Sequence, residues 1–92
     1  MNRFRISNRS ETANVEVIFH GRQSMMCSMN IDFLPLEQPR FVDAVDRNYI
    51  LEEIRKDGKG GATLYFRCTK EQKQTLIEDM ETLFEDNYED RV

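Results

Sequence analysis

Between residues 25 and 33 every second residue is apolar: Met25, Cys27, Met29, Ile31 and Phe33 alternate with Met26, Ser28, Asn30 and Asp32. Successive side chains of a β-strand point to opposite faces of a sheet, so this period of two commits the stretch to a half-buried strand. Val15, Val17 and Phe19 share a face in the same way, with Glu16, Ile18 and His20 opposite. Gly21-Arg22-Gln23 lies between the two runs as a turn, and together they read as a β-hairpin. Arg3 to Ser7 alternates as well, with Phe4 and Ile6 inward and Arg3, Arg5 and Ser7 outward. It reads as an edge strand, joined to the hairpin by the polar loop Asn8 to Ala13.

Beyond Phe33 the period changes. Pro35 and Pro39 bracket an irregular segment, since each removes a backbone donor and disfavours helix just before it. Phe41, Val45, Ile50, Leu51 and Ile54 then fall at helical spacing up to Lys56, with a phase shift near Asp46-Arg47-Asn48 that implies a kinked helix or two short ones. Asp57-Gly58-Lys59-Gly60-Gly61 ends this helix, glycine being suited to a left-handed cap. Thr63 to Cys68 is a strand with Leu64, Phe66 and Cys68 inward. Thr69 follows as an N-cap, and Gln72 completes a capping box. Leu76, Ile77, Met80, Leu83 and Phe84 form the apolar stripe of a core-facing helix that Tyr88 extends. The expected fold is α+β in the order β-β-β-α-β-α, a four-stranded, mainly antiparallel sheet with two helices packed on one face. Residues 1–92 form a single small domain whose last few residues fray.

A chain of 92 residues, 39% hydrophobic and 33% charged, supports one modest core. A buried cavity for a drug-sized ligand, roughly 300 Å3 or more, is disfavoured by size. A homodimer would bury further surface. Cys27 and Cys68 form neither a CxxC pair nor the disulfide framework of a small secreted domain. The N-terminal MNRFRISNRS has no apolar signal-peptide segment, and no apolar run reaches membrane-spanning length. The expectation is a cytoplasmic protein with reduced thiols, no membrane contact, no metal and no cofactor.

Catalytic signals are weak. His20, the single histidine, lacks a nucleophile and an orienting acid in any recognisable arrangement. The loop DGKGG lacks P-loop spacing and leads from helix into strand, so no helix N-terminus would face a phosphate. Met26, out of phase with its apolar face, would sit beside Ile18 in a small contact patch. The chain reads as a binding protein, not an enzyme.

Charge is where it points outward. The net charge is −4, with residues 1–30 at +2 and residues 31–92 at −6. The last fifteen residues hold seven acids, Glu78, Asp79, Glu81, Glu85, Asp86, Glu89 and Asp90, against one base, Arg91. A helix favours anions at its start and cations at its end, by about 0.3–1 kcal/mol per well-placed charge. Here Lys70 and Lys73 begin the helix and acids finish it, so helix stability does not account for the pattern. Seven acids over about 18 Å of helix give roughly one charge per 3 Å, close to the one phosphate per about 3.4 Å of a DNA strand. These seven acids are the candidate partner-binding residues, docking on a basic surface of a nucleic-acid-handling protein, in the sharpest form as a nucleic-acid mimic. Small acidic α+β chains of this type occur among phage anti-defence proteins (anti-CRISPR, anti-restriction) and immunity proteins, which is an argument from type. The alternative is a weak single-stranded nucleic-acid binder using Arg3, Arg5, Tyr65 and Arg67 on a strand face. The acidic balance disfavours it.

Overall fold

A computed structural model of the chain describes residues 3–21 and 25–88. Three strands come first: β1 (Arg3–Ser7), β2 (Asn14–Phe19) and β3 (Met26–Asp32). Helix α1 (Gln38–Asn48), strands β4 (Ile50–Lys56) and β5 (Gly61–Arg67) and helix α2 (Lys70–Asn87) follow. All neighbouring strands are antiparallel, in the spatial order β1-β2-β3-β5-β4. The α+β class and the antiparallel sheet are as expected. The sheet, however, has five strands where four were expected, and the order is β-β-β-α-β-β-α.

The difference lies in Ile50 to Lys56, which is an edge strand and not the second half of a helix. Leu51 opposes Phe66 and Ile54 opposes Leu64, with a register shift between Leu51 and Glu53. The shift marks a β-bulge at Glu52, and the extra residue brings two apolar side chains three apart onto one face. That spacing imitates a helical stripe. Helix α1 stops at Asn48, and Tyr49 alone turns the chain into β4, its N–H still bonded to Val45 O at 2.9 Å. The DGKGG segment is therefore a β-hairpin loop between two strands. Asp57 Oδ1 accepts from Lys59 N at 2.6 Å and Gly61 N at 3.0 Å. Gly58 and Gly60 hold φ of 78° and 97° there.

Cross-strand register sorts the side chains into two faces. Phe4, Val17, Met29, Leu64 and Ile54 make one row of the inner face; Ile6, Val15, Ile31 and Ala62 make the next. Apart from the exposed edge residue Ile54, these rows meet Phe41, Val42 and Val45 of α1 and Leu76, Met80 and Phe84 of α2 in a continuous core. Phe33 anchors one end, its ring 4.9 Å from Phe41, 5.8 Å from Phe84 and 5.5 Å from Tyr88. One member of the expected α2 stripe departs from it: Ile77 is 47% exposed, because it lies on the flank of the core-facing sector. No described helix is long and apolar enough to cross a membrane. Both described helices pack on this one face of the sheet.

Candidate functional site

Helix α2 is fixed at both ends before any acid is considered. At its start the Thr69 side chain accepts from Gln72 N at 3.1 Å while the Gln72 side chain accepts from Thr69 N at 2.8 Å, the reciprocal capping box read in the sequence. Gln72 Nε2 also donates to Asn48 O at 3.1 Å, tying the start of α2 to the end of α1. At its far end Tyr88 is the buried C-cap residue. Its hydroxyl lies 2.7 Å from Asn8 Nδ2 and 2.7 Å from Thr12 Oγ1 in the β1–β2 loop. Asn8 itself is nearly buried, and its Oδ1 accepts from Ala13 N at 2.9 Å. This polar clasp lies beside the Phe33, Phe84 and Tyr88 rings, so it sets the helix end against the first hairpin.

On this support Glu78, Glu81, Glu85 and Asp86 are all exposed. At 100° per residue Glu78, Glu81 and Glu85 lie within one sector, opposite Leu76, Met80 and Phe84. Glu71, two turns earlier, belongs to the same sector and was not among the expected site residues. From Glu78 to Asp86 the four exposed acids span about 12 Å. Among the described residues none of the four forms an ion pair. Among the described residues the reversed charge order is offset from outside the helix: Arg40 of α1 donates to Asp86 O at 3.5 Å, setting a cation at the end of α2. Glu89 and Asp90 lie outside the described residues.

Asp79 differs from the other acids. It is half-buried and accepts from Tyr49 Oη at 2.9 Å and Thr75 Oγ1 at 3.0 Å. Burial and this carboxylate push the Tyr49 phenol well above its usual range. The contact joins the two helices across a shallow depression of about 290 Å3 lined by Asn48, Tyr49, Gln72, Asp79, Thr82 and Leu83. Its chemistry is that of a structural brace.

The alternative residues share the open sheet face but not one site. Arg3, Ile18, Ser28 and Tyr65 form a single cross-sheet row. Three strand spacings, about 14 Å, separate Arg3 from Tyr65. The arginines are matched by acids: Arg3 with Glu16 at 3.8 Å, Arg67 with Glu52 at 2.6 Å and Arg55 with Glu53 at 3.0 Å. Arg55 also stacks over the Tyr65 ring at 5.5 Å. Arg5 opposes Glu16 in register. Among the described residues the face is close to neutral and offers no continuous phosphate track.

One pairing went unread in the sequence. His20 Nε2 lies 2.8 Å from Ser28 Oγ on the open face. Ser28 is only 5% exposed, and among the described residues no acid orients the other ring nitrogen, so the pair lacks the parts of an acyl-transfer site. Ser28 opposes Ile18, two residues from His20; only a known register would have revealed it. Cys27 and Cys68 are buried free thiols with sulfurs 3.6 Å apart, as their inward phase implied. No group of three or more potential metal ligands occurs among the described residues.

Comparison with known proteins finds no match: no family model, no curated protein and no solved structure resembles the chain.

Proposed function

We propose that the chain is a small, non-catalytic inhibitor or regulator whose acidic α2 surface docks on a basic surface of a nucleic-acid-handling protein in the cytoplasm, in place of nucleic acid. The observation that carries this reading is a helix held at both ends that presents Glu78, Glu81, Glu85 and Asp86 to solvent with no ion pair to any of them among the described residues. A rigid row of anions loses little conformational entropy on docking, and it steers association toward a basic cleft. Anti-defence proteins such as anti-CRISPR or anti-restriction factors, and immunity proteins, are the functional types this surface suits. The single-strand-binding alternative loses support from the paired state of Arg3, Arg55 and Arg67.

The test is capture of partners from the native host with the wild-type chain and with the triple variant Glu78→Gln, Glu81→Gln, Glu85→Gln. A mimic predicts a captured basic protein that is displaced by short duplex DNA or RNA and that binds the triple variant at least about tenfold more weakly. Equal capture by both chains would sink the reading. Mobility shift of short single-stranded oligonucleotides at low salt, lost in Arg3→Ala with Arg5→Ala, would favour the alternative instead.

A further inference from the structure

The sheet has two open edges, β1 and β4, each with a row of backbone donors and acceptors available for pairing. Their charge patterns differ. The only charges on β1 are Arg3 and Arg5. On β4 the order is Glu52, Glu53, Ile54, Arg55, Lys56, acids before and bases after one apolar residue. We propose that β4 pairs antiparallel with β4 of a second copy of this chain, about a two-fold axis normal to the sheet at Ile54.

The register follows by elimination. Beyond the bulge, Glu53, Ile54, Arg55 and Lys56 pair without interruption with Tyr65, Leu64, Thr63 and Ala62, so this stretch is regular strand. A two-fold axis normal to the sheet keeps every side chain on its own face, and it therefore requires one residue to oppose its own copy. Centring on Glu53, Arg55 or Lys56 opposes like charges, which is destabilising. Centring on Ile54, which is 40% exposed, sets isoleucine against isoleucine. The same register faces each Glu53 with Arg55 of the other copy on the open face. Glu53 and Arg55 already touch at 3.0 Å along their own strand, so the four groups become a square of alternating charge. Edge charges ordinarily keep strands apart; this order makes them fit a copy. On β1 the same operation at Phe4 or Arg5 opposes arginines, and no centre there sets a base against an acid, since the strand carries bases alone. The resulting ten-stranded sheet carries both helix layers, and both acidic helices, on one side.

Sedimentation equilibrium of the full chain tests the proposal, at low salt and from about 10 μM to about 1 mM, the range in which so small an interface associates. The wild type is expected to show a monomer–dimer equilibrium that weakens with salt. E53R and R55E should each associate at least about tenfold more weakly. Their equimolar mixture should recover the dimer, because two arginines at positions 53 and 55 then face two glutamates at the same positions. Melting curves report whether these exposed substitutions leave the fold intact. Should either single variant fail to fold, the double variant E53R/R55E keeps the intrastrand pair and carries the test: it should dimerise with itself and not with wild type. A wild type that is monomeric throughout, a dimer indifferent to the swaps, or a double variant that pairs with wild type overturns the proposal.

Discussion

Single residues contribute to the stability of this fold by different physical means. Tyr88 gives its hydroxyl to the pocket formed by Asn8 and Thr12, so Tyr88→Phe leaves the ring in place and removes only the polar clasp. The variant should lose about 1–2 kcal/mol, read as a lower midpoint in chemical denaturation. Gly60 separates two kinds of glycine cost. An added Cβ there would collide with the Phe33 carbonyl oxygen, at a φ of 97°, so Gly60→Ala should cost more than about 3 kcal/mol. Gly58 has a φ of 78° but nothing within 4 Å of the added atom, so Gly58→Ala should cost only about 1 kcal/mol. Cys27 provides a pH signature. Burial, and then the neighbouring Cys68 thiol, raise its pKa from 9.0 to about 12. The unfolded chain releases that proton first, so the stabilisation is intact below pH 9 and is lost as pH climbs from 9 toward 12. Thermal melts across that window should show a shallower decline in Cys27→Ala than in wild type. The inward phase of Cys27 and Cys68 was legible in the sequence; the clasp was not, because its partners stand 80 and 76 positions apart.

Among the elements, α2 and β4 show opposite degrees of legibility. The start of α2 could be read to the atom, since a capping box is local and depends on residues three apart. Its core stripe was legible except for Ile77. Helix dipole arithmetic also applies to it: no base lies in its last turn, and among the described residues Arg40 supplies the cation at that end. Glu85→Lys should therefore stabilise the chain by about 0.3–1 kcal/mol, raising the melting temperature by roughly 2–6 °C for a domain of this size. The same substitution should weaken partner capture, which separates the role of the acid in binding from any role in folding. Strand β4 was misread because one inserted residue erased its period. Being an edge strand, it also lacks the strong burial contrast that would have restored the signal; most of its side chains are exposed. A bulge is invisible to periodicity, and it is settled only by the register with β5.

For the whole molecule, the layer arrangement followed from the alternation in β2, β3 and β5 together with the amphipathic stripe of α2. The strand order, with β5 between β3 and β4, was not available from local pattern. That order decides the electrostatic form. It spreads the arginines over the open face among acids from neighbouring strands, and it leaves the stretch of α2 from Glu78 to Asp86 as a surface with acids and no bases. The candidate acids were legible because charge needs no register to be counted. The removal of Asp79 from that set was not, since its bond to Tyr49 depends on how α1 and α2 pack.

The clasp between Tyr88 and Asn8 has a consequence for the order of events in folding. It closes a loop of eighty residues, whereas the hairpin that it secures closes over a few. Contacts of such separation form late, so the first hairpin must persist, or be rebuilt, until the last helix arrives. During synthesis the β1–β2 pair is complete long before its latch exists. Tyr88→Phe should then leave the refolding rate nearly unchanged and accelerate unfolding by about 5- to 30-fold, the whole stability loss appearing in one limb of the chevron.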